Sequence, residues 1–282
     1  PPRSLRPTLE DGRLTHVRAR QLLLATIAAL LLYGVLALQG TVPGGWRLRS
    51  LVGDPSAAAQ AERDAHRRDR LELFAREPET TGGVLFMGSS TLEFFDLDRA
   101  FRGAPTLNRG IGDEPVAAMA RRLDATLERH APRSVVLYAA SVDARRPTGA
   151  AGWRPVEDLV ADVQRCAAAA LRAPSVETVL VVGVLPETSP REPVPGRVEE
   201  LNRGLMSLAT SLGERVRFLD THRPPLVDSE SGLLEASMAR DQLHLNEPGY
   251  AVLLLLLLLL LLLRRRRRRR RHRNHLAFVL MT

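Results

Sequence analysis

The sequence contains a single cysteine, Cys166, and no lysine among its 40 basic residues. One cysteine excludes an intrachain disulfide and a cysteine-based metal site, and its alanine-rich surroundings are typical of a small core residue. The seven histidines show neither a His-Glu-x-x-His spacing nor a close pair within the folded part. No metal and no cofactor is therefore predicted, and His66, His130 and His222 are given no role.

The large excess of positive charge lies at the carboxyl end of the chain. Arg264–Arg271 and Arg273 follow the last acidic residue, and the other 31 basic residues nearly balance the 32 acidic ones. The folded part is thus close to neutral, which argues against a nucleic-acid-binding domain and leaves no nucleic acid expected as a partner. Residues 264–282 are predicted to form a disordered Arg-rich tail. Binding of this tail to acidic lipid head groups or to nucleic acid is the alternative.

Long apolar runs are few, and the first is placed like a membrane anchor. Leu22–Leu38 is apolar apart from Thr26, and Arg13, Arg18 and Arg20 stand just before it. This is about the minimum length that crosses a bilayer, and positive residues before a span favour a cytoplasmic N-terminus. We expect a cytoplasmic basic segment at 1–20, a transmembrane helix at 21–39 and the remainder outside the cytoplasm. A signal peptide cleaved near Val35–Ala37 is the alternative.

A second apolar run, Ala251–Leu263, has only thirteen residues and directly precedes the arginines. It is short for a membrane span and is predicted to be the last helix of the domain. A second span with a cytoplasmic tail is the alternative.

Between these runs the pattern alternates between strands and helices. Pro and Gly at 41–55 indicate a linker, and 56–76 is predicted as a charged helix, either a spacer or the first helix of the domain. Residues 40–70 are therefore assigned to the linker and charged helix, and 71–263 to one folded domain. Predicted strands are 84–87, 106–108, 134–139, 178–185 and 216–219; predicted helices are 92–100, 115–130, 155–171 and 198–212. Such alternation predicts an α/β fold with a parallel sheet and helices on both faces.

Ser90 follows the first of these buried strands, in the sequence Gly88–Ser90. A serine at the carboxyl end of a parallel strand lies at the edge where open α/β sheets bind ligands. Backbone N–H groups at the start of the following helix can stabilise a developing negative charge there. Helix N-capping is the alternative role for a serine at this position.

Asp241 and His244 stand three residues apart in a loop-like segment near the other end of the domain. An aspartate at this spacing can accept the ring N–H of the histidine and leave the second nitrogen free as a base. Such a base could take the proton of Ser90 and activate the serine as a nucleophile.

Four segments in this order resemble the SGNH/GDSL hydrolases. Residues 86–90 (FMGSS) are similar to the first conserved block, 108–112 (NRGIG) to the second, 136–139 lead into the third, and 241–250 (DQLHLNEPGY) match the last. The resemblance covers roughly residues 71–263 and implies a flavodoxin-like three-layer α/β/α sandwich with a mostly parallel sheet. It implies an esterase in which Ser90 is the nucleophile, His244 the general base and acid, and Asp241 the residue that orients His244.

The chain departs from this family at two positions of the oxyanion hole. The second block usually ends in a glycine whose N–H binds the oxyanion, and Asp113 stands there. The third block usually reads Gly-x-Asn-Asp, and Val142 replaces the asparagine that donates from its side chain. Backbone N–H groups of Ser90, Gly112 and Asp113 remain as candidate donors. Loss of one oxyanion donor typically lowers kcat by about 10²–10³.

The expected function is that of a membrane-anchored serine esterase outside the cytoplasm. Its substrates would be acyl or acetyl esters of lipids or envelope polysaccharides. The alternative is a catalytically impaired domain of the same fold that binds an acylated glycan or a partner protein. The sequence does not predict an oligomeric state.

Overall fold

The computed structural model of the protein describes residues 24, 26–33, 55–189 and 196–260. Two compact units divide the chain, Pro1–Ala65 and His66–Thr282. Residues 24 and 26–33 are helical, and none of the helices within the described ranges is both long and apolar enough to cross a membrane. Most of the predicted anchor at 21–39, the basic segment 1–20 and the tail 264–282 lie outside the described residues.

The second unit alternates strands and helices along the chain. The strands are β1 (Val84–Gly88), β2 (Thr106–Gly110), β3 (Ser134–Tyr138), β4 (Thr178–Val182) and β5 (Val216–Leu219). The helices are α1 (Pro55–Arg76, which starts in the first unit), α2 (Ser90–Glu93), α3 (Leu97–Ala100), α4 (Val116–His130), α5 (Ser141–Ala144), α6 (Val156–Arg172) and α7 (Arg197–Ser211). A 3₁₀ turn at Ala236–Met238 precedes the last helix, α8 (247–260).

The five strands form one sheet in the order β2-β1-β3-β4-β5, and every neighbouring pair is parallel. This confirms the predicted α/β fold with a parallel sheet. The register aligns Gly88 with Gly110 on one side and with Tyr138 on the other. The carboxyl ends of β1, β2 and β3 therefore meet at one edge, where a doubly wound sheet binds its ligands.

Both faces of the sheet are buried in its centre, which explains why β1, β3 and β4 are almost continuously apolar. Leu85 and Met87 belong to a core shared with α4, α6 and α7. Phe86, between them, points to the opposite core, which contains residues of α2, α3 and α8. Side chains of successive strand residues alternate between the two faces, so the sheet is the middle layer of three.

The stretch predicted as one helix, residues 92–100, is instead two short helices, α2 and α3. The Asp96 side chain accepts a hydrogen bond from the Arg99 N–H and so begins a new helix. Asn108 on β2 donates its amide N–H to the carbonyls of Leu92, at 2.7 Å, and Phe95, at 3.2 Å. These carbonyls would otherwise continue a single helix, so a side chain from a neighbouring strand causes the break.

The leucine run of α8 covers the second core. Leu253 and Leu257 are buried at 2% and 0% exposure. Leu255 and Leu259, on the opposite face, remain about half exposed. The described part of the run thus packs on the domain, in the arrangement expected of its last helix.

Candidate active site

Ser90 is the first residue of α2, directly after the end of β1. Ser89 occupies the N-cap position and makes no side-chain capping bond; its hydroxyl lies 3.1 Å from that of Ser141. The Ser90 hydroxyl is 2.9 Å from Nε2 of His244. Ser90 therefore points away from the helix backbone and toward a base, which an N-cap serine would not do.

His244 lies in a tight loop closed by a bridge between Ala239 and Leu245. Its Nδ1 is 2.9 Å from Oδ1 and 2.8 Å from Oδ2 of Asp241. The same aspartate accepts the backbone N–H groups of Leu243 and His244, each at 2.9 Å. A carboxylate facing Nδ1 places the proton there and leaves Nε2 as an acceptor for the Ser90 hydroxyl.

Asp241 is held in its ionised form. Partial burial alone would raise its pKa, but hydrogen bonds from the Leu243 N–H, the His244 ring and the His244 N–H lower the pKa of Asp241 to about 2. The carboxylate is thus negative over the whole neutral and mildly acidic range.

An aromatic and a cationic side chain border this group. The Phe94 ring is 43% exposed and contacts His244 edge to face, with ring centroids 5.0 Å apart. The Arg240 guanidinium lies 4.5 Å from the centre of the Phe94 ring and 3.4 Å from Asp241. An exposed aromatic ring beside the histidine offers an apolar surface for part of a ligand.

Gly112, a candidate oxyanion donor, lies beside Ser90, but its N–H is already engaged. A Cβ built on Gly112 would lie 3.8 Å from Cβ of Ser90. The Gly112 N–H donates to the Glu93 carboxylate at 2.5 Å. Glu93 is also 3.1 Å from Nε2 of His66 and 3.5 Å from Nε of Arg70.

Two positions that carry glycine in the resembling family have left-handed backbone here. Asp113 has φ 57° and Ala140 has φ 65°. Aspartate is tolerated in this region, whereas alanine is strained there. Val142 lies in the short helix α5, so the segment is not extended, and it is partly buried. The Ser141 hydroxyl, a possible substitute donor, contacts Ser89.

Asp143, next to Val142, has a structural contact. Its Oδ2 accepts the Val116 N–H at the start of α4, at 2.9 Å. Burial raises the pKa of Asp143, while this hydrogen bond acts in the opposite direction. The last residue of the third block therefore fixes α4 rather than facing Ser90.

Sequence reasoning missed Glu93, His66 and Arg70. Glu93 follows Ser90 by three residues, a helical spacing that places both side chains on neighbouring parts of one turn, and this signal was available. His66 lies 27 residues before Glu93, and no local pattern in a charged helix indicates such a contact.

A serine, a histidine and an aspartate joined in this order, at the carboxyl edge of a parallel sheet, define the arrangement of a serine hydrolase. The sequence pattern of the GDSL-like Lipase/Acylhydrolase family matches residues 95–252. The chain belongs to this family. The matched range includes Asp241 and His244 and begins five residues after Ser90.

Solved structures share the fold. A GDSL-like lipase from Bacteroides thetaiotaomicron is 21% identical, with a TM-score of 0.57 over 68% of this chain and 94% of that chain. A catalytic mutant of an acetylxylan esterase from Geobacillus stearothermophilus is 14% identical, with a TM-score of 0.51 over 64% of this chain and 94% of that one. At such identities the likeness concerns the fold alone. Among curated proteins no significant match was found.

Proposed function

We propose that this protein is a serine esterase that hydrolyses carboxylic esters through an acyl-enzyme. One observation carries the proposal: His244 bridges Ser90 and Asp241, with Nε2 2.9 Å from the serine hydroxyl and Nδ1 2.8 Å from the carboxylate. Distances of this size allow proton transfer from the nucleophile to an oriented base.

The reaction follows from this geometry in two half-steps. Ser90 Oγ attacks the ester carbonyl while its proton passes to Nε2 of His244. The backbone N–H groups of Ser90 and Asp113 hold the oxyanion. The tetrahedral intermediate then expels the alcohol, which takes the proton from His244. Water, deprotonated by His244, releases the acid and restores Ser90.

The proposed substrates are acyl or acetyl esters of lipids or envelope polysaccharides. The acetylxylan esterase of similar fold makes acetyl esters of glycans a natural first class to test. The exposed Phe94 ring beside His244 would contact an apolar acyl or alcohol group.

Location outside the cytoplasm is part of the proposal and rests on the sequence of residues 1–39. The apolar run that follows Arg13, Arg18 and Arg20 supports an N-terminal anchor in the membrane. Fractionation of cells that express the full chain is the test. Recovery in the membrane fraction after alkaline washing is expected, and recovery as a soluble cytoplasmic protein would contradict the anchor.

The nucleophile is tested by covalent labelling. A fluorophosphonate should modify the full chain in detergent solution, and mass spectrometry of the digested protein should place the adduct on Ser90. Ser237→Ala is the matched control, since this exposed serine binds Glu235 in a 3₁₀ turn, and should label as the wild type does. Equal labelling of wild type and Ser90→Ala would contradict the proposal.

A second candidate function is favoured by Val142. A valine side chain donates no hydrogen bond, so the oxyanion hole lacks the donor that the family usually has there. The domain would then bind an acylated glycan or a partner protein without turnover. A wild-type protein that binds acetylated oligosaccharide but does not hydrolyse it, and that becomes active on Val142→Asn, would support this candidate.

A further inference from the structure

The carboxylate of Glu93 binds the backbone of the turn that follows β2. It accepts the Gly112 N–H at 2.5 Å and lies 3.1 Å from Nε2 of His66. Its other oxygen is 3.5 Å from Nε of Arg70. The Glu93 side chain is only 10% exposed, so its negative charge depends on these partners rather than on water.

Arg70 also binds the backbone of this turn, at Gly110. Its Nε and Nη2 donate to the Gly110 carbonyl at 3.2 and 2.9 Å. The carbonyl of Gly110 and the N–H of Gly112 are thus both held, one by a cation and one by an anion that pair with each other. Gly110 also touches α2, because a Cβ there would lie 2.2 Å from the backbone nitrogen of Glu93. Only glycine fits at that contact.

The segment Gly110–Gly112, held by Arg70 and Glu93, directly precedes Asp113. The backbone of Asp113 is left-handed, with φ 57°, a conformation that aspartate tolerates. The engaged Gly112 N–H cannot at the same time donate to an oxyanion, whereas Asp113 occupies the place from which the family's second block donates.

We propose that Glu93 is a positioning residue for the oxyanion hole. Its carboxylate, held by His66 and Arg70, fixes the Gly112–Asp113 turn so that the Asp113 N–H stabilises the oxyanion. The inference rests on the proposed esterase function. It removes Gly112 from the proposed donors.

An obstructing carboxylate would have the opposite effect on turnover. If Glu93 blocked the oxyanion site, its removal would free the Gly112 N–H and raise kcat. If it positions the turn, its removal lets the Asp113 N–H drift, and displacement of about 1 Å in an active site costs up to about 100-fold. The sign of the change in kcat therefore separates the two roles.

The experiment compares Glu93→Ala, Glu93→Gln and the wild type on an aryl acetate. Glu93→Ala should lower kcat by about 10- to 100-fold with little change in KM. Glu93→Gln keeps an oxygen that accepts the Gly112 N–H and should recover part of the loss. Glu72→Ala is the matched control, because this glutamate is an exposed partner of Arg76 on α1 and should behave like the wild type.

A second measurement is independent of activity. Hydrogen–deuterium exchange of a peptide that contains Gly112 and Asp113 should be faster in Glu93→Ala than in the wild type and in Glu72→Ala. Unchanged exchange, or a kcat that stays equal or rises, would overturn the positioning role. If the wild type is as inactive as Ser90→Ala, the esterase proposal fails by itself, and the exchange rates still decide whether Glu93 holds the turn.

Discussion

At the residue scale, Asp241 uses one carboxylate for two tasks. It closes its own loop by accepting the Leu243 and His244 N–H groups, and it orients the His244 ring through Nδ1. The pKa of Asp241, lowered to about 2, makes both tasks independent of pH over the neutral range. Because this pKa is depressed, the stability that the carboxylate contributes is present above the usual aspartate pKa. That contribution is lost progressively as the pH falls from the usual aspartate pKa through about 2.

The change Asp241→Asn separates the two tasks. The amide oxygen can still accept the backbone N–H groups, but the amide NH₂ facing Nδ1 would leave the proton of His244 on Nε2, toward Ser90. We expect kcat for an aryl acetate to fall by about 10³–10⁴, while the thermal midpoint of unfolding changes little. Steady-state kinetics and thermal unfolding are the measurements.

Asp228→Asn is the control for this change, because Asp228 also accepts a backbone N–H, from Ser231. It should leave kcat unaltered. An Asp241→Asn variant with wild-type kcat would show that His244 needs no orienting carboxylate.

Ala140 is a second residue whose effect can be measured alone. Its φ of 65° places Cβ close to the backbone, which costs an L-residue roughly 1–2 kcal/mol. Ala140→Gly should therefore raise the free energy of unfolding by about 1 kcal/mol in denaturant titration, after the entropy cost of glycine.

Ala139→Gly, one residue earlier, is the matched control. Ala139 is buried and has no positive φ, so the same replacement there should destabilise the protein. A loss of stability in Ala140→Gly would mean that the left-handed backbone carries no strain.

At the element scale, side chains that follow or belong to the strands hold the helices around the site in place. Asn108 on β2 binds the α2–α3 segment, and Asp143 on α5, after β3, binds the start of α4. The N-cap residue of α4 is Pro115, which makes no side-chain cap, so Asp143 supplies from outside the acceptor that a cap would provide.

Asp143→Ala should lower the free energy of unfolding by about 1–3 kcal/mol, because it leaves a buried N–H without its acceptor. Asp124→Ala, which removes an exposed carboxylate from the middle of the same helix, should stay within about 0.5 kcal/mol of the wild type. Chemical denaturation measures both. Equal effects would show that Asp143 does not stabilise α4.

The sequence predicted those elements whose own residues decide their structure. Strands β1 to β5 begin where the apolar runs begin, because burial on both faces leaves a continuous signal. The break between α2 and α3 was not predicted, since it depends on Asn108 from another strand. Ser90, Asp241 and His244 were predicted to come together and do so in the structure, whereas His66 and Arg70 reach Glu93 from a helix whose charges look purely solvated.

At the scale of the whole molecule, the charge distribution and the fold indicate different partners for different parts. Residues 66–263 carry 23 arginines and 27 acidic residues, and Phe94 lies beside His244 at the sheet edge, where it offers an apolar surface to an ester. The excess of arginine lies in residues 264–282, outside the described ranges. Ser90, Asp241 and His244 all lie in the unit that starts at His66.

The most direct test of the account is hydrolysis of aryl acetate and aryl butyrate by the full chain in detergent, beside Ser90→Ala and Val142→Asn. We predict release of the chromophore by the wild type, loss to the background rate in Ser90→Ala, and a kcat about 10- to 1,000-fold higher in Val142→Asn. A wild type that cannot be distinguished from Ser90→Ala would contradict the esterase account for these substrates.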